Sequence, residues 1–175
     1  NSITLFDAKG TLGEGQVTLA EILRGRGYAC AGFVANINVS GRFGFAQGFE
    51  VYEWIPAPGA AGLGGRAAEV NAAGLTWLAG AAEAEEPFFL YLHYLDPHSP
   101  YDAPPPYDML FVDPDYDGPF TGSHHQLDEV VAGSLLPDAA DIRYLEALYD
   151  QEIAYVDVHV GELLEAMDGA ELLDN

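Results

Sequence analysis

Basic residues are scarce in this sequence. Six of its 175 residues are Lys or Arg, against 28 Asp or Glu, which gives a formal net charge of −22 at pH 7. No Lys or Arg occurs between Arg66 and Arg143. Proteins that bind nucleic acids neutralise backbone phosphates with basic side chains, and this chain contains few basic side chains. We therefore expect no nucleic-acid partner.

Cysteine is also scarce, and long apolar runs are missing. Cys30 is the single cysteine, which excludes a disulfide within the chain and a cysteine-rich metal site. Because its neighbours are small or apolar, we interpret it as a buried strand residue and a poor nucleophile. No apolar run approaches the about 18–20 residues that a membrane-spanning helix needs. We expect no membrane span within these residues.

The acidic residues follow no calcium-loop pattern such as D-x-D-x-D-G. Divalent-cation binding, a saline habitat or plain solubility could each account for so acidic a surface, and we favour solubility or habitat. With 49% hydrophobic residues, the chain is long enough to bury one core, so residues 1–175 predict a single domain.

The strongest local pattern is an apolar run that leads to a histidine between two prolines. Residues 88–95 are aromatic, aliphatic or histidine and predict a central strand buried on both faces. Pro97 and Pro100 then restrict the backbone on either side of His98. Because α/β proteins bind ligands at the carboxyl edge of parallel strands, His98 could donate a hydrogen bond to an anion or act as a general acid. A turn histidine bonded to a nearby carbonyl is the alternative.

The first half of the chain predicts alternating strands and helices. Thr18 and Glu21 have the spacing of a capping box, which starts a helix. The predicted elements, in order, are this helix, a strand at 28–35, a strand at 50–54, a helix at 66–82 and the strand at 88–95. This order favours a parallel sheet flanked by helices.

Three connecting segments separate these elements. Asn36 or Asn38 could face the same ligand edge as His98, although we favour turn formation for both. Residues 41–49 alternate glycine with aromatic residues and predict a structured loop anchored by its rings. Residues 55–65 predict a linker of Pro, Gly and Ala without chemistry of its own.

Residues 108–140 form an acidic segment rich in turn signals. The segment is longer than an ordinary connection, and we interpret it as a surface excursion near a binding edge. His124 and His125 are adjacent within it. Because adjacent side chains point in different directions and no third ligand lies at metal spacing, we predict no metal site there.

The clearest helix is predicted at 141–167, where apolar residues recur at intervals of three and four. This stripe consists of Ile142, Leu145, Tyr149, Ile153, Val156, Val160, Leu163 and Met167. Glu152 and Asp157 adjoin the stripe and are candidates for buried hydrogen bonds, but we favour solvent exposure for both. Gly169 ends the helix, and residues 172–175 look like the approach to a further strand. We therefore interpret the chain as an internal fragment of a longer protein.

Five segments, taken in order, resemble the sulfatase family of the alkaline phosphatase-like superfamily. Each is weak alone, but their order and spacing together are specific, and they cover most of the chain outside 108–140. They are TLAEIL (18–23) with Gly27 and Tyr28, FVAN (33–36), FGFAQGF (43–49), FFLYLHYLDPHSPY (88–101) with Pro105 and Tyr107, and YDQEIAYVD (149–157) with Gly161, Leu163 and Leu164.

The resemblance implies an alkaline phosphatase-like α/β sandwich, of which this chain is an incomplete domain, and hydrolysis of sulfate esters. In the family, a cysteine in a Cys-x-Pro-x-Arg motif becomes a formylglycine nucleophile beside a calcium ion. His98 matches the family's Pro-His-x-Pro element, which implies a catalytic and substrate-binding role as ligand to sulfate or donor to the leaving oxygen. The implied substrate is a sulfated small molecule or glycan, and the implied location is periplasmic or extracellular.

The chain also departs from the family pattern. Cys30 is followed by Ala31 and Gly32 in place of x-Pro-x-Arg, so it is not the formylglycine precursor. The family's aspartate pair for calcium and its Asp-His-Gly segment are missing from these residues. We expect nucleophile and calcium ligands outside this segment, and no activity from residues 1–175 alone. A phosphoesterase or phosphoglycerol transferase of the same superfamily, and a non-enzymatic acidic binding module, stay open as alternatives.

Overall fold

A computed structural model describes residues 10–56, 66–84 and 86–173. Residues 57–65 of the predicted linker, and the last two residues of the predicted approach to a further strand, lie outside this range. The chain divides into two units, one made of Asn1–Leu95 with Glu162–Asn175 and one made of Asp96–Gly161.

The first unit contains a parallel sheet flanked by helices, as predicted. Its elements are α1 (Leu19–Arg24), β1 (Ala29–Val34), β2 (Val51–Trp54), α2 (Ala67–Ala84) and β3 (Phe88–His93). The strand order is β2-β1-β3, and both pairings are parallel. Ala31 is in register with Val51 on one side and with Leu90 on the other. The predicted class, an α/β fold with a mostly parallel sheet, is therefore confirmed.

The central strand is β1, and the prediction that residues 88–95 form a central strand buried on both faces is wrong for the described part of the chain. Cys30, Ala31, Phe33 and Val34 of β1 are each 4% exposed or less. All six residues of β3 are half-buried, and β3 pairs with β1 on one side. An apolar run indicates that a strand is covered, but the connections between strands decide which of them lies in the middle.

The two faces of β1 pack against different helices. Ala31 and Phe33 join Val70 of α2 in one apolar cluster. Successive strand residues point to opposite faces, and on the other face the Cys30 thiol donates a weak hydrogen bond to the Ala20 carbonyl of α1, with a sulfur–oxygen distance of 3.6 Å. Burial, followed by the negative charge of Glu50, raises the pKa of the Cys30 thiol. The interpretation of Cys30 as a buried strand residue is confirmed.

Gly32 of β1 leaves room for an aromatic ring. A Cβ atom at this position would lie 2.6 Å from the Tyr52 ring, so only glycine fits there without displacing the ring. The Tyr52 ring also contacts the Phe49 ring, with centroids 4.9 Å apart. The rings thus anchor the 41–49 loop to the sheet, as the sequence predicted.

The capping box predicted at the start of α1 is present. The Thr18 hydroxyl oxygen accepts a hydrogen bond from the Glu21 amide at 3.1 Å, and the Glu21 carboxylate accepts one from the Thr18 amide at 2.8 Å. Thr18 also donates through its hydroxyl to the Gln47 carbonyl at 2.9 Å. One residue therefore both starts α1 and holds the 41–49 loop.

The second unit contains α3 (His124–Val131) and most of α4 (Ala139–Gly169). The predicted helix at 141–167 is confirmed, with two further residues at each end. The segment 108–140, interpreted as a turn-rich excursion, includes α3 and ends within the first residues of α4. Within residues 10–56, 66–84 and 86–173, no helix combines the length and the hydropathy of a membrane span.

Candidate active site

The His98 loop begins the second unit, five residues after β3 ends at His93. The His98 side chain is exposed, and its Nδ1 lies 2.8 Å from the Ser99 carbonyl oxygen. Because a carbonyl oxygen can only accept, Nδ1 carries the proton of the neutral ring and Nε2 carries the lone pair. His98 can therefore fill both roles that the sequence suggests, as a turn residue bonded to a carbonyl and as a residue that contacts a ligand. Nδ1 serves the turn, and Nε2 is the nitrogen with which the exposed ring could meet a ligand.

Ser99 brings a second histidine to this loop. Its hydroxyl oxygen lies 2.8 Å from Nδ1 of His124, the first residue of α3. The His98 and His124 rings meet edge to face, with centroids 5.6 Å apart and planes at 69°. The sequence predicts no such contact for His124, which it offers only as a possible metal ligand, because nothing in the sequence links positions 25 residues apart.

His125 points away from this cluster, as predicted for adjacent histidines. Its Nδ1 lies 3.1 Å from the Glu129 carboxylate one turn further along α3, and its side chain is 82% exposed. Among residues 10–56, 66–84 and 86–173, no group of three or more His, Cys, Asp or Glu side chains is arranged to hold a metal ion.

A buried carboxylate on α4 holds the other end of the His98 loop. Glu152 is 2% exposed, and its Oε1 accepts a hydrogen bond from the Asp102 backbone amide at 2.7 Å. The favoured prediction of solvent exposure is therefore wrong for Glu152, because this carboxylate is buried against the loop and accepts a hydrogen bond from a loop amide. For Asp157, which is exposed, the same prediction is confirmed.

The buried face of α4 is more polar than its sequence suggests. Three residues of the predicted apolar stripe, Ile142, Tyr149 and Ile153, are 40–45% exposed. The buried residues are Asp141, Leu148, Gln151, Glu152 and Tyr155. The stripe is therefore not the buried face at these positions. Polar side chains occupy that face because they bond to backbone amides and side chains of the preceding segment.

Tyr101 joins the His98 loop to the segment before α3. Its backbone amide donates to the Gly122 carbonyl at 3.0 Å, and its ring meets the Tyr149 ring of α4 edge to face at 5.6 Å. Burial, then the neighbouring Tyr149 and Glu152, raises the pKa of the Tyr101 phenol. The loop that carries His98 is thus held by main-chain and side-chain contacts on both sides.

The two asparagines after β1 form a turn, as favoured from the sequence. The Asn36 side-chain oxygen accepts a hydrogen bond from the Asn38 amide at 2.9 Å and caps a short 3₁₀ helix, Ile37–Val39. The bond within the turn explains the position of the Asn36 side chain, so no ligand is needed to explain it.

The family model described as "Sulfatase" matches residues 2–175. The chain belongs to the sulfatase family. The resemblance carried by the five sequence segments is thereby confirmed. No curated protein sequence shows a significant match to this sulfatase chain.

Solved structures share the fold. The putative sulfatase yidJ from Bacteroides fragilis superposes with a TM-score of 0.62 and 17% identity, over 94% of this chain and 43% of its own. Ps i-CgsB does so with a TM-score of 0.56 and 14% identity, over 97% of this chain and 40% of its own. At these identities the likeness concerns the fold, which is the alkaline phosphatase-like fold. The chain spans about two fifths of the length of these relatives.

The described residues do not fit the formylglycine and calcium that the family implies. Cys30 is 1% exposed, lies inside β1 and is followed by Ala31 and Gly32. A buried strand cysteine cannot meet a substrate. The described residues also contain no group of three or more side chains arranged to hold a metal ion.

Proposed function

We propose that this chain is part of a sulfuric ester hydrolase and that His98 contacts the sulfate ester. The observation that carries the proposal is the hydrogen bond from His98 Nδ1 to the Ser99 carbonyl at 2.8 Å. It holds an exposed imidazole in one tautomer on a loop flanked by prolines. A preorganised imidazole of this kind is suited to contact an anion or to transfer a proton.

Hydrolysis of a sulfate ester replaces the sulfur–oxygen ester bond with a bond to water oxygen, and the alcohol leaves with a proton. When the His98 ring is protonated, Nε2 becomes a second N–H donor. It can then hydrogen-bond a sulfate oxygen or supply the proton that the leaving oxygen takes up. We propose that the nucleophile and the calcium ligands lie outside residues 1–175, and that these residues alone have no activity.

The substrate class we propose is a sulfated small molecule or a sulfated glycan. A solved structure of Ps i-CgsB in complex with k-i-k-neocarrahexaose resembles this chain. Its TM-score is 0.50 and its identity 15%, over 89% of this chain and 37% of its own. That ligand is an oligosaccharide, so among the proposed sulfated substrates a glycan is the first to test.

The test compares two substitutions of His98 in the protein that contains this chain. His98→Ala removes both ring nitrogens, whereas His98→Asn places an amide at the position of Nδ1 and removes Nε2. If Nε2 acts on the sulfate ester, both variants lose about 100-fold or more in kcat/KM. His125→Asn, on the exposed neighbouring histidine, is the matched control and keeps wild-type kinetics.

Two outcomes would contradict the proposal. Wild-type kinetics in His98→Asn would return His98 to a purely structural role in the turn. Hydrolysis of phosphate esters in preference to sulfate esters by the wild-type protein would favour the phosphoesterase alternative.

A further inference from the structure

We propose that His124 is a positioning residue that orients the His98 imidazole through Ser99. The proposal rests on the proposed role of His98 in sulfate ester hydrolysis. Ser99 connects the two rings through different atoms. Its carbonyl oxygen accepts from His98 Nδ1, and its hydroxyl oxygen lies within hydrogen-bond distance of His124 Nδ1, each at 2.8 Å.

The two rings also touch directly. Their centroids are 5.6 Å apart and their planes meet at 69°, so the edge of one ring faces the plane of the other. His98 is exposed and its own hydrogen bond is to the next residue along the chain. Packing against His124 therefore supplies a contact from outside the loop that limits rotation of the His98 ring.

His124 is well placed to act as a fixed support. It begins α3, and the preceding Ser123 caps this helix by accepting a hydrogen bond from the Gln126 amide at 3.5 Å. The Gln126 side chain in turn donates to the Pro119 carbonyl at 2.7 Å and accepts from the Thr121 amide at 2.8 Å. The start of α3 is thus tied to the segment before it.

The His124 ring is oriented by its contact with Ser99. Its Nε2 is buried and has no hydrogen-bond partner among the described residues, so Nδ1 makes the ring's polar contact in this part of the chain. A buried nitrogen without a hydrogen bond does not fix the rotation of the ring, so the contact between Nδ1 and the Ser99 hydroxyl orients it. The segment 108–140 would then contribute to the site through this residue.

The test uses two isosteric substitutions in the protein that contains this chain. His124→Asn keeps a polar atom at the position of Nδ1 and can still bond to Ser99, whereas His124→Gln places its amide near the position of Nε2 and cannot. We expect His124→Gln to lower kcat for a sulfate ester about tenfold with little change in KM, because misorientation affects the transition state more than binding. His124→Asn keeps the bond to Ser99 but not the ring contact, so it should recover part of the loss, and His125→Gln should match the wild type.

Ser99 provides a second route to the same conclusion. Ser99→Ala removes the hydroxyl and leaves the carbonyl that bonds to His98, so it should reproduce the loss seen in His124→Gln. The double variant should be no worse than His124→Gln alone, because His124→Gln already removes the bond that Ser99→Ala breaks. Additive losses would show that His124 acts independently of Ser99 and would overturn the proposal.

A measurement without turnover separates this proposal from the proposed function. In protein labelled with ¹⁵N-histidine, the ring nitrogens of neutral His98 should report the Nδ1–H tautomer, and His124→Gln should shift the His98 signals toward a mixture. If the wild type hydrolyses no sulfate ester, the proposed function fails and the ¹⁵N signals alone decide the positioning role. If His98→Ala is impaired but His124→Gln changes neither kcat nor the His98 signals, the positioning role is wrong and the proposed function stands.

Discussion

The buried carboxylate of Glu152 accepts a hydrogen bond from the backbone amide of Asp102, with an oxygen–nitrogen distance of 2.7 Å. Fifty residues separate the two in the chain. Asp102 lies four residues after His98, so this bond ties the loop that carries the candidate catalytic histidine to α4. The carboxylate is 2% exposed, and its removal would leave a loop amide without this acceptor.

Replacing Glu152 should therefore destabilise the protein. We expect Glu152→Ala to lower the free energy of unfolding by about 1.5–3 kcal/mol, the usual contribution of a hydrogen bond to a charged group. Glu152→Gln keeps an oxygen acceptor, so its free energy of unfolding should fall by less than that of Glu152→Ala. Urea denaturation of the purified variants measures both effects. Asp157→Ala, at an exposed position of α4, is the control. If it lowered the free energy of unfolding as much as Glu152→Ala, the stabilising role of the Glu152–Asp102 bond would be wrong.

A side chain at Gly122 should destabilise the protein. Its φ is +72°, and a Cβ atom would lie 3.0 Å from both Tyr101 Cβ and Leu148 Cδ1. Gly133 has a similar φ of +74° but open space around it. Gly133→Ala should therefore lower the free energy of unfolding by the backbone cost alone, about 1–2 kcal/mol. Gly122→Ala should lower it further, because the new Cβ atom also displaces Tyr101. Equal losses in thermal or urea unfolding would rule out the packing contribution.

Tyr52 should make stability depend on alkaline pH. Burial, followed by the nearby Tyr91, raises the pKa of Tyr52 from 10.0 to about 12, so the folded state favours the neutral phenol. Its contribution is complete below pH 10 and is lost as pH rises toward 12. In Tyr52→Phe, the free energy of unfolding should fall less steeply over this interval.

The Tyr52 comparison needs two checks. The phenol also donates a hydrogen bond to the Val39 carbonyl at 2.7 Å, so Tyr52→Phe should be less stable than the wild type at neutral pH. Tyr149→Phe makes the same substitution at a tyrosine that is 40% exposed and is the control for the loss of a phenol hydroxyl. If the free energy of unfolding fell equally steeply with pH in the wild type and in Tyr52→Phe, the prediction would be wrong.

Ionic strength should stabilise the protein. A net charge of −22 on 175 residues produces self-repulsion that favours the unfolded chain. The screening length falls from about 10 Å at 0.1 M salt to about 3 Å at 1 M, so the melting temperature should rise between these KCl concentrations. Sucrose stabilises folded proteins without screening charge and serves as the comparison. An unchanged melting temperature in KCl would show that repulsion is not significant.

Signals carried by neighbouring residues predicted much of the local structure. The capping box at Thr18 and Glu21 starts α1, and Gly169 ends α4. Each involves hydrogen bonds or backbone preferences within one or two turns of chain, which the sequence specifies directly. The parallel sheet followed in the same way from the alternation of strands and helices.

The family and the position of one candidate residue, His98, were also determined by the sequence, because the motif that surrounds His98 is continuous in the chain. Tertiary structure decided which strand is central, that Glu152 is buried, and that His124 reaches Ser99. In each case the partner lies far along the chain, at 50 residues for Glu152 and 25 for His124. Periodicity indicates which residues share a face, but only the folded chain supplies the amide or hydroxyl that makes burial of a polar side chain favourable.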